Sequence, residues 1–270
     1  MLGVSGVGIV SSKMSQALNA GIARLPISTL RSLEQTVQVS LGKGWFAGVE
    51  QEVATALQFL SREARRRPVV ADIGANTGDW CAQVLKVAPE ARVISFEPGK
   101  EAFLHLDERF RADDRVTVVN AAASSTSGDV TLWSNGPGSE LASLSKRQLD
   151  HYGIDFSYSE TVAAVTLDEW FADSPLQPNL LKIDVEGHEL DVLGGSLNLL
   201  STVQVVQFEF GGTDIDSRTF LKDFYFLFDE AGFDILRLSQ RGVVPVEKYA
   251  EQDESFAYAN YLAVRRGLVR

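Results

Sequence analysis

The chain has 270 residues, 45% of them hydrophobic, with 25 basic against 36 acidic side chains and a net charge of −11. That length holds one large domain with an appendage rather than two equal domains, and that charge disfavours a phosphate backbone, so no nucleic-acid partner is expected. Cys81, the sole cysteine, excludes an intramolecular disulfide and a cysteine-based zinc site and fits a reducing cytoplasm.

The apolar run from Leu2 to Val10 is too short to span a bilayer and has no basic residue before it, so a loose terminus is expected and no membrane span. Met14, Leu18, Ile22 and Leu25 recur at helical spacing before Pro26, and a second helical pattern runs from Ile27 through Val39. A third carries Val49, Val53, Leu57 and Leu60 and ends in Arg65-Arg66-Arg67-Pro68, where the arginines complement a helix C-terminus. Residues 1–66 are therefore expected as a helical segment apart from the sheet, a lid or a dimerisation element, ahead of an α/β domain over residues 67–270.

From Val69 onward strands and helices alternate, the pattern of a doubly wound parallel sheet. Val69–Ile73 reads as a strand buried on both faces that breaks into the turn Gly74-Ala75-Asn76-Thr77-Gly78. Gly74 and Gly78 let a ligand approach the backbone, Asn76 tolerates positive φ, and a helix starting near Thr77 points free N–H groups over the turn. A dinucleotide fingerprint needs glycine where Asn76 stands, because a pyrophosphate must come close there. S-adenosylmethionine, which has no phosphate, asks less: the turn N–H groups suit its carboxylate and Asp72 its ammonium. Val93–Pro98 is the next strand, and its Glu97, about 20 residues past the turn, suits ribose hydroxyls. Singly, Asp72 also reads as a helix cap and Glu97 as a surface acid. Arg115–Asn120 is a third strand, and Asn120 with Ala121, Ala122 and Ala123 offers a flat wall for adenine, although a tightly packed strand end reads the same way.

Asp129–Trp133 reads as a short strand and Ser134–Ser145 as a mobile loop of the kind that covers a substrate. Thr166 and Glu169 form a capping box, which assigns those residues to structure. Leu180–Ile183 is a buried strand ending on Asp184, and Val203–Phe210 one ending on Glu209; in a doubly wound sheet the two acids become neighbours where such sheets hold ligands. Asp214 and Asp216 precede a helix over Phe220–Glu230, and Phe256–Val264 alternates like a final antiparallel strand.

Together, Asp72-Ile73-Gly74-Ala75-Asn76-Thr77-Gly78, Phe96-Glu97-Pro98, Leu181–Glu189 and Gln207-Phe208-Glu209 resemble the FkbM family of S-adenosylmethionine-dependent O-methyltransferases, in order and spacing, over roughly Gly48 to Val264. The resemblance implies a Rossmann-like class I fold, with a seven-stranded, mostly parallel sheet whose last strand is reversed, and methylation of a hydroxyl on a sugar, glycoside or glycosylated natural product. Residues 1–45 fall outside it.

Methylating a hydroxyl needs something to take its proton or to stabilise the alkoxide. His188 has a suitable intrinsic pKa one turn past Asp184 and is the candidate base, although a capping histidine reads the same way. Asp184 and Glu209 are candidates to hold Mg²⁺, against a simple ion pair of Lys182 with Asp184. Ion and histidine acting together form the expected mechanism. A nicotinamide-dependent sugar oxidoreductase or epimerase is the alternative, disfavoured by Asn76 and by the lack of a Tyr-x-x-x-Lys pair; an idle cofactor-binding assembly module is another.

Overall fold

A computed structural model describes residues 20–44 and 48–268. The expectations for Leu2–Val10 and for Met14 and Leu18 lie outside the described residues. None of the described helices is long and apolar enough to cross a membrane.

The centre of the molecule is a five-stranded parallel array in the order β3 (Val116–Val119), β2 (Arg92–Phe96), β1 (Val69–Ile73), β7 (Leu180–Ile183) and β8 (Val205–Phe210). Its central strands are Val-, Ile- and Leu-rich because helices cover both faces. Next to β8 runs the antiparallel β11 (Ala259–Arg265), and beyond it β9 (Phe233–Ser239), which completes the seven expected strands with the reversed one in place. An eighth strand, β10 (Gly242–Pro245), folds back on β9 as an edge hairpin. A second sheet has the order β4 (Ala122–Ala123), β6 (Tyr158–Val165) and β5 (Gly128–Ser134).

Helices α1 (Ile27–Ser40), α2 (Val49–Gln58) and α3 (Arg62–Arg66) precede the sheet. The third sequence helix does not stand apart as expected. Val53, Ala56 and Leu57 of α2 share one core cluster with Val70 of β1, Val205 of β8 and Val84 of α4 (Asp79–Val87), so the sheet domain recruits residues from Val49 onward. The opposite face is covered by α6 (Leu167–Ala172), α7 (Glu189–Gly194) and α9 (Leu221–Glu230), where Phe224 stacks on Phe208, which stacks on Tyr261. By contrast α1 buries no residue, and Ile27, Leu33 and Val37 are 67, 46 and 57% exposed.

One close approach positions the site. Gly74 has φ +77°, and a Cβ there would stand 1.8 Å from the Asp184 carbonyl oxygen, so only glycine lets the turn after β1 lie against the end of β7.

Candidate active site

The carboxyl ends of β1, β2, β7, β8 and the start of β11 open into one cavity of about 400 Å³. Over β1 and β2 it is lined by Gly74, Ala75, Asn76, Thr77, Glu97 and the small residues Ala121, Ala122 and Ala123. Over β7, β8 and β11 it is lined by Lys182, Asp184, Gln207, Glu209 and Asn260, with Glu52 reaching in from α2. Ser139, Glu140 and Ala142–Leu144 close a further wall. That loop is pinned, since Ser143 and Trp133 exchange backbone hydrogen bonds of 2.8 and 2.9 Å and the Ser143 hydroxyl donates to the Glu186 carbonyl at 2.8 Å.

The first half fits the cofactor read from the sequence. Glu97 is 7% exposed and accepts from the backbone N–H groups of Asn76 (2.9 Å) and Gly99 (2.8 Å), which hold its carboxylate at the mouth of the turn. Asn76 takes φ +47°, as its type allows, and its buried Oδ1 lacks a protein partner, an orphan acceptor that a bound donor would satisfy. The three alanines line this part of the cavity with small apolar side chains, which suit an adenine ring.

Burial pushes the Glu97 carboxyl up to about 7, against the backbone donors of Gly99 and Asn76. Ribose hydroxyls donate to the ionised form. Affinity for S-adenosylhomocysteine is therefore expected to rise as pH increases through about 7 and to fall as Glu97 takes up its proton below it. Glu97→Ala should weaken binding by about 1.5–3 kcal/mol and flatten that pH dependence, read by titration calorimetry at pH 6 and 8. Unchanged affinity in the variant would remove Glu97 from the site.

Other sequence candidates are placed differently. Asp72 is fully buried and does not line the cavity; the ammonium it holds is that of Lys182, 3.2 Å from its Oδ1. Asn120 is exposed; its amide donates to the carbonyls of Glu97 (2.8 Å) and Pro98 (3.1 Å) and braces the β2 end without lining the cavity. Gly78, at φ +87°, starts α4 and packs against Leu106 and Phe110. The turn also uses its own N–H groups. Gly74 and Ala75 donate to the Phe96 carbonyl and Asn76 to Glu97, which leaves the first turn of α4 as the donor set over the cavity.

His188 is not among the residues lining the cavity. Its Nδ1 faces Asp191 Oδ2 at 3.0 Å and its Nε2 faces the Ser145 hydroxyl at 2.9 Å, so both ring nitrogens are engaged and the ring fastens the loop to α7. Glu189 likewise spends its buried carboxylate on the N–H groups of Val185 and Gly187.

Asp184 and Glu209 do meet. Lys182 stands opposite Gln207 in the β7–β8 register, so the residues two further on project side by side. Burial, then the charges of Asp184, Glu186, Glu189 and Asp214, push Glu209 up to about 11, so it carries a proton at neutral pH. Asp184, with 40% of its side chain exposed, lies 3.4 Å from Lys182 Nζ, which also donates to the Gly74 carbonyl at 3.1 Å. This set suits Mg²⁺ poorly. The ion prefers several carboxylate oxygens in near-octahedral array, whereas here two acids meet and one of them faces the Lys182 ammonium at 3.4 Å. Among the described residues no three His, Cys, Asp or Glu side chains converge as a metal site.

Glu52 was not foreseen as a site residue. It lies on the apolar face of α2, between Val49 and Val53, and that placement was the one available signal. It is 5% exposed and accepts from Gln207 Nε2 (3.2 Å) and Asn260 Nδ2 (3.0 Å).

Residues 72–235, more than half of the chain, match the methyltransferase FkbM domain. Hexuronic acid methyltransferase AglP of Haloferax volcanii is 30% identical over 201 residues, covering 74% of this chain and 74% of its own. The 2-O-methyltransferase NoeI of Sinorhizobium fredii is 26% identical over 168 residues, covering 58% of this chain and 69% of its own. Among solved structures, methyltransferase FkbM from Methylobacillus flagellatus aligns with a TM-score of 0.47 and 16% identity, over 77% of this chain and 47% of that one.

Proposed function

This chain belongs to the FkbM family of methyltransferases, and from that premise we propose that it methylates a hydroxyl of a sugar, glycoside or glycosylated natural product. The observation that carries the reading is the continuity of one cavity from the Glu97 and Ala121–Ala123 end to the Asp184–Glu209 end, so that cofactor and acceptor share a chamber. AglP is named for a hexuronic acid and NoeI for a 2-O position, which supports a carbohydrate hydroxyl as acceptor.

S-adenosylmethionine, held by Gly74–Thr77, Glu97 and Ala121–Ala123, supplies an electrophilic methyl group. The protein's own work is positioning and proton transfer. Holding the hydroxyl in place is worth several orders of magnitude in rate, and a neutral hydroxyl still needs a group to take its proton. Asp184, the more exposed acid, takes that proton, while protonated Glu209 donates a hydrogen bond to the acceptor's oxygen atoms. His188 acts only through the loop it fastens. Release of S-adenosylhomocysteine from labelled cofactor with a panel of glycosides tests the reading. Binding of the cofactor without transfer to any carbohydrate hydroxyl would defeat it.

We also propose that α1 pairs with its counterpart in a second copy, because a 14-residue helix with no buried residue leaves Ile27, Leu33 and Val37 facing solvent. Light scattering is expected to give the mass of two chains for the unaltered 270-residue chain and of one chain for Leu33→Glu with Val37→Glu. A one-chain mass for the unaltered protein rejects the pairing.

A further inference from the structure

The acceptor end of the cavity has an unusual balance of hydrogen-bonding groups. Glu52, Asp184, Glu186 and Glu209 line it, and the only basic side chain among its described lining residues is Lys182. That ammonium is 7% exposed and committed to Asp72 (3.2 Å), Asp184 (3.4 Å) and the Gly74 carbonyl. Arg147, which stands nearby, is bound to Glu186 (2.9 Å) and Asp216 (3.2 Å) and is not part of the lining.

Within this end, Glu52 dictates how two amides face. Gln207 and Asn260 both turn their NH₂ groups toward its carboxyl oxygens, at 3.2 and 3.0 Å. The carbonyl oxygen of Gln207 is thereby turned away from Glu52. It belongs to a residue only 2% exposed and has no hydrogen-bond partner. Gln207 lines the cavity, and a buried amide oxygen left unpaired there is a demand for a donor. Donors of that kind are abundant on a polyhydroxylated ring.

Resting on the sugar reading above, we propose that the acceptor is an uncharged polyhydroxylated sugar whose hydroxyls donate to a wall built by Glu52 and Gln207, that a carboxylate-bearing sugar is excluded, and that Glu52 is a specificity-determining residue. A uronate would bring a charge that no cation among the described lining residues is free to pair, and recognition of a carboxylate ordinarily uses a Lys or a bidentate Arg. Glu52, Asp184, Glu186 and Glu209 stand around that end, so a substrate carboxylate would add a fifth acid among them, at a cost in affinity. The acceptor chemistry of this chain thus parts from that named for AglP, a difference that 30% identity allows.

The test compares matched pairs: methyl glycosides of glucose, galactose and mannose against the corresponding methyl uronides, with S-adenosylhomocysteine release as the readout. At least one neutral member is expected to be turned over with a kcat/KM a hundredfold or more above that of its uronate. A uronate turned over as well as or better than its neutral partner overturns the inference and leaves the sugar reading standing. Turnover with neither member of any pair, by enzyme that binds S-adenosylhomocysteine normally, overturns the sugar reading and the inference with it. In Glu52→Gln, KM for the neutral sugar is expected to rise tenfold or more, with kcat and S-adenosylhomocysteine affinity little changed and with weaker discrimination against the uronate. A joint loss of cofactor affinity and thermal stability, or an unchanged KM, overturns the role of Glu52. Should that variant fail to fold, the paired-sugar comparison on the unaltered enzyme still decides the charge preference.

Discussion

Asp184→Asn is expected to lower kcat by about a hundred- to a thousandfold while S-adenosylhomocysteine binds within a factor of about three of the unaltered affinity. In the proposed mechanism Asp184, the more exposed of the two acids that meet beyond β7 and β8, takes the proton. Glu209 already holds one, with its pKa pushed up to about 11 by burial and by Asp184 itself. The amide keeps the volume and an oxygen toward Lys182, so the turn held by Gly74 stays closed against β7 and the cofactor half is left in place. What the amide lacks is basicity. His188→Ala should in turn cost about fivefold or less, because both ring nitrogens are spent on Ser145 and Asp191 and the ring does not line the cavity. EDTA should leave turnover unchanged. Near-normal kcat in Asp184→Asn, or activity lost to chelator and restored by magnesium, would reject this assignment of the proton.

The contrast between Asp184 and His188 shows what the chain made legible. The turn after β1, the acid ending β2 and the two acids ending β7 and β8 were readable because strand ends are local features, and a doubly wound sheet gathers them at one edge. The direction of a side chain is not local. His188 has a fitting intrinsic pKa, but as the residue before α7 its ring is aimed by where that helix starts. Asp72 carried the right residue type beside the turn, yet the register Asp72↔Lys182 gave it a partner from 110 residues away. Glu52 was hidden for the same reason, since its burial depends on α2 packing against β8. The hairpin β9–β10 escaped because its two-residue connection, Gln240-Arg241, has none of the Asn-Gly or Asp-Gly chemistry that marks such turns.

The other large effect concerns stability. Lys182→Met is expected to destabilise the fold by about 3–5 kcal/mol, because it removes one partner of a buried ion pair and leaves Asp72 without a counter-charge. Asp72 has no exposed surface and its Oδ2 has no hydrogen-bond partner, so nothing else stands ready to compensate it. Burial alone would drive a proton off Lys182, but Asp72 first and Asp184 second outweigh it and hold the ammonium above its ordinary pKa. For a domain of this size the loss corresponds to a fall in melting temperature of roughly 6–20 °C. The deficit should also depend on pH in a definite sense. Burial already raises the Asp72 carboxyl, and losing Lys182 raises it further. A carboxyl with a raised folded pKa costs stability as pH climbs from its unfolded value, about 4, toward the folded one, and costs nothing below both. The gap between variant and unaltered protein should therefore be widest near pH 8 and narrow toward pH 5. Adding Asp72→Asn to Lys182→Met should recover about half of the loss, because the amide can be buried without a counter-ion. A melting temperature within about 2 °C of the unaltered protein in Lys182→Met, or a gap that widens on acidification, would show that the pair does not hold the turn and the β7 end together.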